Sequence, residues 1–130
     1  MKTILVDAAD TFTKDDNGTY VIDQELYALL ETFPNRKIIV TNADDEQQAT
    51  YGLVNLPYEL FTLKHNPDKP DPTYFKKLLE HYGYSSDDVI YFEHNPLAVE
   101  SAKSVGIVSY HFDHEKRDIE SLRQFIEGAL

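Results

Sequence analysis

The segment ILVDAADTF, residues 4–12, is a short apolar run that ends on a carboxylate and is followed by two alanines and Asp-Thr. The β-branched residues of this run favour a β-strand, so Asp7 lies where that strand would end. Taken alone, Asp7 is either a turn residue that accepts backbone N–H bonds or a nucleophile at the end of a strand. The remainder of the sequence decides between these alternatives.

The composition restricts both the architecture and the partners of the chain. Its 130 residues suffice for one hydrophobic core but not for two ordinary domains, so we predict a single domain over residues 1–130. The absence of cysteine excludes disulfides and thiolate metal sites. A formal charge of -11 argues against binding to nucleic acid or to an anionic membrane. Because no apolar run is long enough for a signal peptide or a membrane span, we expect a cytoplasmic protein.

Strand-like and helix-like segments alternate along the chain. Apolar runs of strand length occur at residues 3–6, 37–41, 89–92 and 106–112, with a weaker one at 58–63. Apolar residues with helical spacing lie between them, at positions 26, 29, 30 and 33 and at positions 75, 78, 79 and 82. This alternation predicts an α/β fold, a three-layer doubly wound parallel sheet with helices on both faces.

Capping and turn residues indicate where these elements begin and end. Asp23 and Asn95-Pro96 are typical helix starts, and Asp71-Pro72 is expected to supply a cap followed by proline at the first helical position. Residues 44–54 are interpreted as a further helix, and the last helix is expected to fray at residues 127–130. Asn17-Gly18, between two β-prone arms, predicts a small hairpin flap directly after the first strand.

Polar side chains follow several of the predicted strands, where the binding crevice of a parallel sheet lies. They are Asp7 after the first strand, Thr41 and Asn42 after the second, Lys69 before the third helix, and Glu93, His94 and Asn95 after the fourth. A carboxylate, a hydroxyl and an ammonium that converge from separate loops suit nucleophilic attack on an electrophile with negative charge. The sequence therefore predicts an active site at this edge.

Four motifs at these strand ends resemble those of the haloacid dehalogenase (HAD) superfamily, which is dominated by phosphatases that form an aspartyl-phosphate. The Asp-x-Asp-x-Thr motif matches residues 7–11, and the strand that ends in Thr and Asn matches IIVTN, residues 38–42. The Lys-Pro-Asp-Pro-x-x-Phe motif matches residues 69–75, and the fourth motif matches residues 89–107. The resemblance covers nearly the whole chain.

The resemblance implies a role for each matching residue. Asp7 corresponds to the nucleophile, and Lys69 and Thr41 correspond to the groups that stabilise the phosphoryl oxygens, with Asn42 as a further phosphate-binding residue. It also implies that Mg²⁺ binds to Asp7, to a backbone carbonyl two residues further on, and to acids of the fourth motif. Lys69 is expected to neutralise Asp7 rather than to project into solvent.

The sequence departs from the family pattern at the positions that carry protons and metal. Ala9 replaces the general acid and base of the first motif, while His94 and Ala98 replace two acids of the fourth. Mg²⁺ binding is doubtful, because imidazole is a poor ligand for a hard cation. His94 could instead bind a softer metal, transfer a proton or cap the next helix. The candidates for the missing acid, base or ligand are Asp10, Glu93, His94 and Asn95.

Three functions are compatible with these observations. The first is a HAD-type phosphatase-like hydrolase of weak or altered activity, and the second is a catalytically silent relative that binds a partner or an anion. The third is a metal-independent hydrolase like the dehalogenases, although the insert between the first two motifs is too short for their helical cap. A capless member would act on a small or macromolecular phosphorylated substrate, with the site closed by that substrate or by a second copy in a homo-oligomer.

Overall fold

The computed structural model describes all residues, Met1–Leu130, as an α/β fold with two separate sheets. In chain order the elements are β1 (Thr3–Asp7), β2 (Thr13–Asp16), β3 (Thr19–Ile22), α1 (Gln24–Glu31), β4 (Lys37–Thr41), α2 (Asp45–Thr50), β5 (Glu59–Thr62), α3 (Thr73–Tyr82), β6 (Val89–Glu93), α4 (Pro96–Ser104), β7 (Val108–His111) and α5 (Ile119–Ala129). A short 3₁₀ turn over Ser86–Asp88 precedes β6. No helix combines the length and the apolar composition needed to cross a membrane.

The main sheet has the strand order β5-β4-β1-β6-β7, and every neighbouring pair is parallel. The central strand is β1, in which Val6 pairs with Ile39 of β4 on one side and with Phe92 of β6 on the other. Because β1 lies between β4 and β6, the carboxyl ends of these three strands meet at one edge. The predicted doubly wound parallel sheet is confirmed.

Each face of β1 packs against its own pair of helices. Ile4 and Val6 belong to a core that includes buried side chains of α1 and α5, whereas Leu5 belongs to a second core formed with α3 and α4. All three side chains are fully buried. Complete burial of one aliphatic side chain stabilises the fold by about 1.5–3 kcal/mol, so packing on both faces fixes the position of β1 and of Asp7 at its end.

The helix boundaries confirm some capping predictions and correct others. Asp23 caps α1 and Asn95 caps α4, as predicted. The prediction that Asp71 caps α3 and that Pro72 is its first residue is wrong by one residue, because Pro72 itself is the N-cap. The Asp71 side chain accepts from the N–H of residue 73. The segment 44–54 contains only the short helix α2, which ends before Gly52 at φ +69°. Residues 127–129 do not fray, and Lys2 Nζ donates to the Ala129 carbonyl at 3.2 Å.

The predicted hairpin is present and packs beside the edge where β1 ends. Asn17 and Gly18 adopt φ values of +54° and +90°, which is the left-handed pair that a tight hairpin turn requires. Tyr20 of β3 packs edge-on against Tyr51 with ring centroids 5.1 Å apart. A Cβ on Gly52 would lie 2.9 Å from the Tyr20 carbonyl oxygen, so this close approach requires glycine.

Candidate active site

A pocket of about 230 Å³ opens at the carboxyl ends of β1, β4 and β6. It is lined by every residue that the sequence predicts for the site, namely Asp7, Asp10, Thr41, Asn42, Lys69, Glu93, His94 and Asn95. This convergence follows from the topology, because parallel strands end at the same edge of the sheet. The pocket is therefore the candidate active site.

Asp7 is the last residue of β1, and only 2% of it is exposed. Its Oδ1 accepts from Lys69 Nζ at 2.6 Å, and its Oδ2 accepts from the Thr11 hydroxyl at 2.6 Å. Burial alone would raise the pKa of the Asp7 carboxyl, but the charge of Lys69 and the contacts of His94 outweigh burial and hold that pKa well below its usual value. Asp7 is therefore ionised at neutral pH, as nucleophilic attack requires.

Lys69 joins Asp7 to a second buried carboxylate. Its Nζ lies 2.9 Å from Oε1 of Glu93, and both residues are almost completely buried. Burial would lower the pKa of Lys69, but Asp7 and Glu93 raise it above its ordinary value. The structure thus brings Lys69 into direct contact with Asp7, as the sequence predicts, and adds Glu93 as a partner of the same ammonium.

The imidazole of His94 lies against both carboxylates. Its Nδ1 donates to Asp7 Oδ2 and is 3.2 Å from Oε2 of Glu93. Burial favours the neutral ring, yet the hydrogen bonds to Asp7 and Glu93 raise the pKa of His94 to about 10. The ring is therefore an imidazolium at neutral pH. We call the four side chains of Asp7, Lys69, Glu93 and His94 the Asp7 cluster; it contains two carboxylates and two cations.

Asp10 borders the pocket beside His94. Its backbone adopts φ +67°, and its Oδ1 accepts from the Tyr20 hydroxyl at 2.9 Å. Burial and the contact with Asp10 raise the pKa of Tyr20 to about 12. Oδ2 of Asp10 is 3.9 Å from Nε2 of His94. Two of the four residues that the sequence nominates for the missing acid, base or ligand are therefore neighbours at the pocket wall.

The three polar side chains of Thr41, Asn42 and Asn95 have different roles. The Thr41 hydroxyl can donate to a ligand, whereas the side chains of Asn42 and Asn95 accept from backbone N–H groups. The Thr41 hydroxyl accepts from the N–H two residues further on at 3.2 Å, which leaves its own proton available to a ligand. Oδ1 of Asn42 accepts from the Lys69 N–H at 2.7 Å. Oδ1 of Asn95 caps α4 by accepting from the N–H two residues further on at 3.0 Å. Asn42 and Asn95 therefore position Lys69 and α4.

Two methyl groups lie in the pocket where the resemblance implies acids. Ala9 and Ala98 both line it, and Ala98 is 1% exposed. A methyl group neither transfers a proton nor binds a cation, so neither residue can supply the missing chemistry. Any proton transfer in this pocket must come from other side chains, of which Asp10 and His94 are the nearest candidates.

Two hydroxyl donors to the Asp7 cluster have no predicted role. Thr11 donates to Asp7, and the Tyr91 hydroxyl donates to Oε1 of Glu93. Side chains two residues apart on a strand point to the same face, so the spacing of Tyr91 and Glu93 was a signal in the sequence. Thr11 was part of the matched first motif, but the residues gave no reason to assign it a contact with Asp7.

Arg117 is a further residue that the sequence did not predict. It donates to the carbonyl oxygens of Asp10 at 2.9 Å and of Thr11 at 2.5 Å, and it pairs with Asp23 at 2.8 Å. These contacts hold the turn after β1 against the start of α1. Arg117 lies 106 residues away from Thr11 in the chain, so no local pattern could have revealed the contact.

The open side of the pocket includes His65 from the loop between β5 and α3. Its Nδ1 lies 2.7 Å from Oδ1 of Asp68, and its Nε2 contacts the Gln47 side chain of α2. His65 adopts φ +68°. These contacts join the loop that carries Lys69 to α2, and none of the three residues has a predicted role.

Asp7, Glu93 and His94 form a group whose ligand atoms lie within 4.8 Å of one another and could hold a metal ion. However, the His94 nitrogen in this group already donates a proton to Asp7. Mg²⁺ requires oxygen ligands in near-octahedral geometry, whereas an imidazole nitrogen suits transition metals. The donor set therefore does not fit magnesium as it stands.

No protein-family model and no curated protein sequence matches the chain. Several solved structures, however, are similar to it. A HAD-family enzyme from Bacteroides thetaiotaomicron, complexed with magnesium and inorganic phosphate, has a TM-score of 0.68 at 14% identity, over 85% of this chain and 93% of that chain. A HAD-superfamily hydrolase of subfamily IA from Geobacter sulfurreducens has a TM-score of 0.68 at 12% identity, over 94% of this chain and 99% of that chain.

A third similar structure is the D,D-heptose 1.7-bisphosphate phosphatase from B. bronchiseptica, complexed with magnesium and phosphate. Its TM-score is 0.64 at 15% identity, over 92% of this chain and 87% of that chain. Two of these three structures hold magnesium. Identities this low support the architecture alone. The chain has the α/β fold of the HAD superfamily.

Proposed function

We propose that the chain is a HAD-superfamily hydrolase that acts on phosphate esters, with Asp7 as the nucleophile and with weak or altered activity. One observation carries the proposal. Asp7 is an ionised, buried carboxylate at the end of the central strand, held by Lys69 beneath an open pocket. A carboxylate with a fixed ammonium beside it suits attack on a phosphoryl group, because the ammonium stabilises the phosphoryl oxygens.

The reaction has two steps. In the first, a carboxylate oxygen of Asp7 attacks phosphorus, the bond from phosphorus to the ester oxygen breaks, and an aspartyl-phosphate forms. In the second, water attacks phosphorus, inorganic phosphate leaves, and the carboxylate is regenerated. Lys69 and the free hydroxyl proton of Thr41 stabilise the phosphoryl oxygens in both steps.

The leaving oxygen requires a proton, which Ala9 cannot supply. We assign this proton to the pair formed by Asp10 and His94, whose Oδ2 and Nε2 atoms are 3.9 Å apart. A dedicated general acid contributes about 10²–10⁴-fold to a rate. The substituted acid therefore explains the weak or altered activity that we propose.

The absence of a large cap leaves the pocket open. Only the hairpin β2–β3 and α1 lie between β1 and β4, and the pocket of about 230 Å³ is open to solvent. An open site leaves the reacting atoms in water unless the substrate or a second subunit covers them. We therefore propose a phosphorylated substrate, small or macromolecular, in a cytoplasmic setting that suits a chain without cysteine.

The proposal is tested by turnover of an aryl phosphate such as p-nitrophenyl phosphate, with and without divalent cations and across a range of pH. Asp7→Asn is expected to abolish turnover. The matched control is Asp87→Asn, which changes an exposed aspartate in the 3₁₀ turn before β6 and should leave turnover unchanged. Absence of turnover under every condition would contradict the proposal and favour a catalytically silent binding module.

A further inference from the structure

The position of Nδ1 in His94 bears on how this site compensates negative charge. Nδ1 lies between the two carboxylates, donating to Asp7 Oδ2 on one side and lying 3.2 Å from Glu93 Oε2 on the other. In a cation site formed by two carboxylates, the ion occupies the space between their oxygens. In this structure, the nitrogen of His94 occupies that space.

Every carboxylate oxygen of the Asp7 cluster already has a donor. Asp7 Oδ1 accepts from Lys69, and Glu93 Oε1 accepts from Lys69 and Tyr91. Asp7 Oδ2 accepts from Thr11, and Glu93 Oε2 accepts from the N–H two residues further on at 3.0 Å. A divalent cation would have to displace several of these hydrogen bonds in a buried site, where an unpaired donor is costly.

The charges of the cluster are also balanced without a metal. Lys69 and His94 supply two positive charges against the two carboxylates. The Nζ atom of Lys69 and the Nδ1 atom of His94 each lie within hydrogen-bond reach of both carboxylates. A divalent cation would add repulsion from the two cations already present.

We propose that the Nδ1–H group of His94, which lies between the two carboxylates, takes the place of the divalent cation, so that the site binds phosphate-type oxyanions without magnesium. The inference rests on the proposed function and identifies the group that compensates negative charge in that site. The Lys69 ammonium has three N–H groups, of which Asp7 and Glu93 accept two, so one is available to the anion. His94 Nε2, which borders the pocket, and the Thr41 hydroxyl complete the anion site.

Isothermal titration calorimetry with MgCl₂ tests the first half of the inference and does not depend on turnover. The wild-type chain is expected to show no magnesium binding at millimolar concentration. His94→Asp removes the ring and supplies a carboxylate, so it is expected to gain magnesium binding. Binding of Mg²⁺ by the wild-type chain would overturn the inference, and so would a folded His94→Asp variant that still binds none.

Titration with inorganic phosphate tests the second half. Phosphate is expected to bind the wild-type chain with the same affinity in EDTA and in MgCl₂, and His94→Gln should weaken that affinity by about tenfold or more. The control His81→Gln, an exposed histidine on α3, should bind phosphate as the wild type does. Phosphate binding that requires MgCl₂ would overturn the inference. Phosphate binding in EDTA without turnover would instead refute the proposed function alone.

Discussion

Replacing Lys69 with methionine removes the ammonium that Asp7 and Glu93 share. The side chain of Lys69 is 6% exposed and those of its partners are 3% and 1% exposed, so water cannot substitute for the lost charge. Removal of one partner from a buried ion pair costs about 3–5 kcal/mol, because the other charge stays buried and unpaired. We expect Lys69→Met to lower the free energy of unfolding at neutral pH by this amount.

Urea denaturation followed by circular dichroism measures the change. Lys64→Met is the matched control, because Lys64 pairs with Asp45 where both side chains are more than half exposed, and exposed pairs contribute only about 0–1 kcal/mol. The penalty of Lys69→Met should shrink as the pH falls toward about 4, where protonated carboxyl groups no longer need a cation. Equal losses in the two lysine variants would refute the reasoning, since they would show that Lys69 is not a buried partner of two carboxylates.

A second variant separates charge from packing in the same experiment. Adding Asp7→Asn to Lys69→Met removes one of the two carboxylates that lost their partner. The double variant is therefore expected to be more stable than Lys69→Met alone, with a coupling of about 1–3 kcal/mol between the two sites. Additive effects of the two substitutions would show that packing of the lysine side chain, and not its charge, stabilises the fold.

Three further predictions concern the surroundings of the Asp7 cluster. The pKa of His94 is raised from 6.5 to about 10 on folding. The contribution of the His94 ring to stability is therefore complete below pH 6.5 and is lost as the pH rises through 10. The difference in unfolding free energy between the wild type and His94→Gln should close over this range. Gly52→Ala should cost about 1–3 kcal/mol in urea denaturation, because a Cβ would lie 2.9 Å from the Tyr20 carbonyl oxygen in a left-handed backbone; an unchanged midpoint would contradict that contact. Arg117→Met leaves two carbonyl oxygens and Asp23 without their donor and should speed amide hydrogen exchange in residues 10–13, and protection equal to that of the wild type would refute this positioning role.

The fold was predictable because its signals are local. Alternating apolar strands and helical stripes identify the layers, and Asn17-Gly18 identifies the hairpin through the backbone torsions that it permits. The errors arose where tertiary contacts decide the outcome. The last turn of α5 persists because Lys2, at the other end of the chain, donates to the Ala129 carbonyl, and no pattern within residues 127–130 records that contact.

The site was predictable only in part. Strand ends and matched motifs placed Asp7 and Lys69 at one edge of the sheet, and their contact follows from the topology. The position of His94 between Asp7 and Glu93 did not follow, because the sequence shows which residues end a strand but not which ring nitrogen enters the space between two carboxylates. Whether a carboxylate at this edge reacts depends on that local arrangement.

The central claim is that Asp7 forms a covalent bond to phosphorus, and mass spectrometry of the acid-quenched protein tests it most directly. The chain is mixed with an aryl phosphate, stopped in acid during turnover and digested. The peptide with residues 3–14 is expected to gain the mass of one phosphoryl group, located on Asp7, and Asp7→Asn is expected to lack this adduct. Turnover of the aryl phosphate with no phosphoryl group on Asp7 in the quenched sample, or with the group on another residue, would contradict the account.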